Sequence, residues 1–288
     1  MKPLIFMSGQ LSVVGQLAIT SDWGFSRNPR RASAIEGGFK LEGMYQEWKG
    51  GIYYAADPDT DRTVSLLKIL SSLPCWPDPK TLLRMVDRHV VAQECIDQGF
   101  FGNDSCVVAT WQDLMKNEDY FGWSPKNGTV VKFGNEHSGE GKVLFRPGIG
   151  FMEWAGQATI QPFFVGRSVR ILHIEEEVFF IETVHEESWI KNSPGGENVQ
   201  MNAKNVPIEM IEHSRKVATH FGLDVCGNDY ILCDDGSFHF LETNQFPGLG
   251  DDFLGDLPRN FFRERMRSLE KIVAGDENVQ RSTVLPTS

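Results

Sequence analysis

The stretch Asp229-Tyr230-Ile231-Leu232-Cys233-Asp234-Asp235-Gly236-Ser237-Phe238-His239-Phe240-Leu241-Glu242-Thr243-Asn244-Gln245-Phe246-Pro247-Gly248 constrains the fold of this chain more than any other. Asp235-Gly236 lies between two apolar runs, a strong short-range hairpin signal. A two-residue turn there pairs 234 with 237 and 233 with 238, and the ladder continues down to 229 with 242. Asp229 then faces Glu242 across the hairpin, and strand alternation sets Asn244 on the same side as Glu242. Two opposed carboxylates repel unless a cation lies between them. Three oxygen-bearing side chains with room left for waters and phosphates suit magnesium. The competing reading is a surface hairpin with solvated acids.

Upstream, Lys132 interrupts the apolar strand Thr129-Val130-Val131-Lys132-Phe133. An unpaired ammonium inside a sheet is costly, so the position calls for an anionic partner. The alternative is an edge strand with the lysine turned outward against aggregation. Gly134-Asn135-Glu136-His137-Ser138-Gly139-Glu140-Gly141-Lys142 follows, and its glycines let backbone N–H groups approach a phosphate. The P-loop pattern is excluded: Glu140 holds the lysine position, and the strand Lys142-Val143-Leu144-Phe145 follows where a helix is required.

The remaining periodicities give both helices and strands. Residues 80 to 99 read as one helix with Leu82, Leu83, Val86, Val90, Val91 and Ile96 on one face and Gly99 as its stop. Strands are expected over 159–164, 168–174 and 178–184, with Glu175-Glu176-Glu177 at a solvated hairpin tip. Asn205 and Pro207 start a helix that turns Ile208, Ile211, Ala218 and Phe221 inward and ends at Gly222. The Pro-rich run Leu73 to Pro79 closes a first lobe, and a polar tail runs from about Gly275 to Ser288.

Composition narrows the partners. The 288 residues carry 28 Lys+Arg against 39 Asp+Glu, a net charge of −11. A surface that negative repels nucleic acid and anionic membranes. The five cysteines include no C-x-x-C pair, which argues against a disulfide framework and fits a reducing, cytoplasmic setting. Residues Met1 to Met7 read as a first buried strand, because polar residues soon interrupt the apolar core that a signal peptide needs. Asp57 to Asp61 lacks the glycine and closing glutamate of a calcium loop, and His185-Glu186-Glu187 lacks the second histidine of a zinc motif.

In their chain order these pieces resemble the ATP-grasp superfamily, in particular the branch of the ribosomal-protein glutamate ligase, glutathione synthetase and the graspetide ligases. Val130-Val131-Lys132 matches the strand entering that family's glycine loop. Gln161-Pro162-Phe163 matches its hinge, and Arg170 its Arg-bearing strand. Asp229, Glu242, Asn244, Pro247 and Gly248 match its closing Asp and Glu-x-Asn-x-x-Pro-Gly motif. Three positions depart from the pattern: Arg88 stands where the family has a lysine, Ser168 where several relatives carry an Asp for the ribose, and Phe133 where many have proline.

The resemblance implies an ATP-grasp fold. A small N-terminal α/β lobe at 1–85 would precede two α+β lobes at 86–160 and 161–275 that clasp ATP, with a tail at 276–288. It implies that Arg88, Lys132, Gly139, Gly141, Gln161, Pro162 and Phe163 bind ATP, and that Asp229, Glu242 and Asn244 hold magnesium, with manganese as a substitute. Arg170, Lys191 and Asn192 would act on the reacting groups, the last two in a segment that resembles the family's mobile substrate loop or is an ordinary Gly-rich turn. A fixed cationic donor facing an oxyanion contributes about 3 kcal/mol, or roughly 100-fold in rate. The implied activity joins a carboxylate substrate to an amine acceptor, small molecule or peptide, through an acyl-phosphate, with ADP as product. A small-molecule kinase and a non-catalytic ATP-binding module are the alternatives. The oligomeric state is left open, a homodimer included.

Overall fold

The computed structural model describes residues 4–8, 23–26, 31–55, 59–102, 106–116, 128–134, 141–146, 153–185, 188–190 and 195–275. Gly139, Lys191 and Asn192 lie outside them. The chain divides into two compact units, one running to Val86 and resuming at Gly248, the other running from Asp87 to Pro247.

In the first unit β1 (Leu4–Ser8), β2 (Trp23–Ser26), β3 (Ala32–Ile35), β4 (Gly38–Leu41), β5 (Glu47–Trp48), β6 (Gly50–Tyr54) and β7 (Cys75–Trp76) make two sheets. One has the order β2-β1-β6-β7 with every pairing parallel, and the other is the antiparallel β3-β4-β5. A strand with parallel neighbours on both sides is buried on both faces, so Leu-Ile-Phe-Met-Ser suits β1. Helix α1 (Thr60–Leu70) begins at Asp59, whose carboxylate accepts from the Arg62 N–H at 3.0 Å, and buries Leu66, Leu67 and Leu70. Helix α2 (Pro79–Arg84) begins after Asp78 with proline in its first turn.

The single helix expected over 80–99 is two. Asp87 accepts hydrogen bonds from the backbone N–H of His89 at 2.7 Å and Val90 at 3.3 Å, so it caps a new helix, α3 (Arg88–Asp97). The restart turns Val91, Ala92 and Cys95 inward and leaves Val90 52% exposed, which corrects the expected inward Val90. The break falls where the first unit gives way to the second.

The second unit holds two antiparallel sheets. Strand β8 (Val107–Thr110), helix α4 (Trp111–Lys116), β9 (Thr129–Phe133), β10 (Lys142–Phe145) and β11 (Gln157–Pro162) supply the first, in the order β10-β9-β11-β8. β9 is therefore an interior strand, and the edge reading for Lys132 does not hold. Ala109, Val131, Phe145, Trp154, Ala158 and Ile160 form this sheet's core.

The other sheet contains β12 (Arg167–Ile174), β13 (Glu177–Val184), β14 (Glu197–Gln200), β15 (Val225–Leu232) and β16 (Phe238–Asn244), in the order β14-β13-β12-β15-β16. Helix α5 (Ile208–Phe221) covers one face with Met210, Ile211, Val217, Ala218 and Phe221, and ends at Gly222 in the left-handed conformation at φ 64°. Ile208, expected inward, is 57% exposed because it occupies the first turn.

The late hairpin corrects the expected turn. The backbone N–H of Cys233 bonds to the carbonyl of Ser237 at 2.8 Å, and that of Gly236 to the carbonyl of Cys233 at 3.0 Å, closing a three-residue turn Asp234–Gly236. Tyr230, Ile231 and Leu232 accordingly pair with Phe240, His239 and Phe238, one residue off the expected register. A bulge then leaves Leu241 as the extra residue and restores Asp229 opposite Glu242 and Gly227 opposite Asn244. The closing helix α6 (Leu257–Ala274) belongs to the first unit, although the sequence boundaries grouped it with residues 161–275.

Candidate functional site

Strand alternation sorts β15 into two faces. Asn228 donates its amide to Ser214 on α5, and Tyr230 reaches His213 on the same helix, so the even positions face the helix. Asp229 and Ile231 turn the other way, into a cavity between the two sheets of this unit. Lys132, Lys142, Arg170, Asp229 and Glu242 line one part of it, and Pro162, Phe163, Phe164, Trp189 and Ile190 another, with Ser168 and Thr183 also in the wall.

Asp229 is fixed from two sides. Arg170, its register partner on β12, grips it in a fork, with Nε to Oδ1 at 2.7 Å and Nη2 to Oδ2 at 2.8 Å. Asn244 donates its amide N–H to Oδ2 at 3.0 Å. Gly227 makes room for this fork: a Cβ there would stand 3.1 Å from Arg170 Cδ and 3.0 Å from Pro247 Cβ.

Glu242 takes two lysines. Lys132 Nζ donates to its Oε2 at 3.1 Å, and Lys142 Nζ to its Oε1 at 3.4 Å. Lys132 also donates to the Leu241 carbonyl at 3.2 Å, which the bulge leaves without a facing residue across the ladder. Burial alone would raise the Glu242 carboxyl, but Lys132, Lys142 and Arg88 outweigh it and hold the group well below the usual carboxylate range. Burial also pushes the Lys132 ammonium down from the ordinary lysine range, with Lys142 and Arg88 adding to the shift and Glu242 opposing it. Burial leads the shift at Lys132 and the surrounding cations lead it at Glu242, and positive charge in excess of negative charge around this pair contributes to both. Such a site accepts an anion readily.

The apolar part begins at the hinge. Gln161 is 1% exposed; its Nε2 lies 3.5 Å from the Leu241 carbonyl, and its buried Oε1 accepts no hydrogen bond among the described residues. A buried acceptor left unsatisfied costs about 1–3 kcal/mol, so an N–H on a bound ligand is favoured beside it. Phe164 stacks on His239 with ring centres 3.7 Å apart, and Phe163 meets Trp189 edge-on at 6.0 Å.

The structure thus brings Lys132, Gln161, Pro162, Phe163, Arg170, Asp229 and Glu242 to one cavity. Asn244 joins through Asp229, and Arg88 through its field on Glu242 and Lys132. Gly141 starts the return from the glycine loop, with its carbonyl accepting from the Phe133 N–H at 2.7 Å. Lys142 is absent from the residues that the sequence marks as functional, yet it lies opposite Lys132 in the ladder. The strand limits 129–133 and 142–145 do not fix that register, which only the paired ladder shows.

Among the described residues no three His, Cys, Asp or Glu side chains converge as a cage. Asp229, Glu242 and Asn244 offer oxygen donors of the kind a hard ion such as magnesium takes, and with two carboxylates such an ion would keep waters and phosphate oxygens among its ligands.

No protein-family model matches the sequence, and no curated protein matches it. Among solved structures the α+β architecture is that of the ATP-grasp ligases. The chain is similar to the ATP-grasp ligase PsnB complexed with its minimal precursor, with a TM-score of 0.61 at 13% identity, covering 93% of this chain and 99% of that one. It is similar to D-alanyl-alanine synthetase A from Vibrio cholerae, with a TM-score of 0.61 at 15% identity and coverage of 91% and 99%. It is likewise similar to macrocyclase MdnB from Microcystis aeruginosa, with a TM-score of 0.61 at 11% identity and coverage of 92% and 99%. At such identities the likeness is one of fold. Among the described residues no helix is long and apolar enough to cross a membrane.

Proposed function

We propose that this protein is an ATP- and magnesium-dependent carboxylate-amine ligase. The observation that carries the reading is the two-part cavity, in which Lys132, Lys142 and Arg170 meet the carboxylates Asp229 and Glu242 near an apolar hinge. A nucleoside triphosphate matches that division, its base against Pro162 and Phe163 and its phosphates among the cations. An adenine amino group supplies the N–H that Gln161 Oε1 would accept. The solved structures of like fold include PsnB complexed with Mg and ADP, which supports the choice of nucleotide and ion.

In this reading Asp229, Glu242 and Asn244 would hold magnesium, which supplies charge neutralisation of the phosphates when bound. Lys132 and Arg88 hold the polyphosphate, and Gly139 and Gly141 contribute to its binding. The substrate carboxylate attacks the γ-phosphorus, and the bond to the β,γ-bridging oxygen breaks to give an acyl-phosphate and ADP. The amine then attacks the acyl carbon and phosphate departs, the amine losing a proton. Arg170, Lys191 and Asn192 are proposed to stabilise the oxyanion formed in that second step. Residues 1–85, 86–160 and 161–275 are proposed as the working lobes, with the helix Leu257–Ala274 grouped with the first of them by its packing. The acceptor is a small amine or a peptide, and the chain is proposed to work in the cytoplasm.

The test uses Mg-ATP with a panel of amino acids and acidic peptides carrying heavy oxygen in the carboxylate. A ligase releases phosphate bearing that oxygen when an amine is supplied. A phosphoryl group retained on the acid as a stable product, or no ATP consumption across the panel, contradicts the reading.

A further inference from the structure

We propose that Lys142 is a second polyphosphate-binding residue, acting with Lys132 as a paired cation across the β9–β10 hairpin. The proposal rests on the nucleotide reading and deepens it.

Three observations carry it. First, Lys142 is turned into the cavity and only 11% exposed at the side chain, while Val143 and Phe145 lie on the opposite face, where Val143 pairs with the core residue Val131. A lysine held on a buried face calls for anionic partners. Second, Lys132 and Lys142 are direct cross-strand partners, and like charges directly opposite destabilise a sheet. Third, one carboxylate serves both: Glu242 neutralises Lys132 through Oε2 and reaches Lys142 through Oε1, and the field of Arg88 adds to the excess. The two ammoniums together match an anion of higher charge than one carboxylate. Glu242 holds both lysines at hydrogen-bond distance, and a triphosphate would compete with it for them.

The experiment compares wild type, Lys142→Met and Lys142→Arg by calorimetric binding of adenosine, AMP, ADP and a non-hydrolysable ATP analogue, with magnesium present. Loss of one charge-assisted contact weakens the triphosphate analogue by about tenfold to a hundredfold. Lys142→Met is expected to show that loss for the triphosphate analogue and almost none for adenosine, and Lys142→Arg to regain most of it. A purely structural lysine would weaken every ligand alike, so equal losses along the series overturn the proposal, as does wild-type affinity for the triphosphate in Lys142→Met. Should the methionine variant fail to fold by circular dichroism, Lys142→Gln carries the same comparison. Wild-type protein that binds none of the four ligands would sink the nucleotide reading itself; wild-type binding that ignores the substitution sinks this inference alone.

Discussion

At Glu242 one carboxylate meets two lysines, and the imbalance sets how the site responds to pH. Lys132 carries its charge against burial and against the neighbouring cations, so its proton is lost below the ordinary lysine range. A neutral amine attracts phosphate far less than an ammonium. Affinity for a non-hydrolysable ATP analogue should therefore fall as pH rises, at a pH below the ordinary lysine range, while Lys132→Arg flattens the fall because a guanidinium stays protonated. Calorimetry across an alkaline pH series checks this, and an affinity unchanged to the ordinary lysine range would contradict it. Lys132 was legible in the sequence because a single cation breaking an apolar strand demands an explanation. Lys142 was not, because it follows a glycine loop directly and only the paired ladder shows which way it points. The charge balance around Glu242 depends on Arg88, 154 residues away in sequence, and no local pattern reports that.

At the scale of elements, the late hairpin shows a right pairing reached by a partly wrong route. Asp235-Gly236 suggests a two-residue turn, but the Asp235 carboxylate accepts from the Ser237 N–H at 2.9 Å and its hydroxyl at 2.6 Å, stabilising the three-residue form. The bulge at Leu241 then cancels the one-residue shift, so Asp229 still faces Glu242. Bulges carry no dependable sequence mark. The helix expected over 80–99 fails for a related reason: apolar spacing continues through Met85 and Val86, and Asp87 passes for a surface charge until its bonds to His89 and Val90 reveal a cap. That cap also starts the helix bearing Arg88. Asp87→Ala is expected to lower unfolding free energy by about 1 kcal/mol, whereas Asp87→Asn keeps most of it. Chemical denaturation distinguishes the two, and equal losses would mean that the cap is not what stabilises this start.

At the scale of the whole molecule, the order of the chain does not follow its compact units, since the residues after Gly248 return to the unit that the first residues began. Helix α6 buries Phe261, Phe262, Met266 and Leu269 along one side, and that spacing alone does not say which core it completes. The ring contacts do. Phe262 is fully buried, with its ring centre 5.3 Å from Phe6, 5.1 Å from Tyr54 and 5.8 Å from Trp76. Glu270 on the same helix accepts from the Trp23 indole N–H at 2.7 Å. The parallel strands β1 and β6 are thus closed over by a segment more than 200 residues further along the chain. Removing a buried phenylalanine ring costs about 3–5 kcal/mol. Phe262→Ala should accordingly lower hydrogen-exchange protection at the amides of Leu4–Ser8 and Gly50–Tyr54 by a comparable free energy, in strands that the substitution does not touch in sequence. Unchanged protection there would mean that α6 is not part of the core that holds those strands.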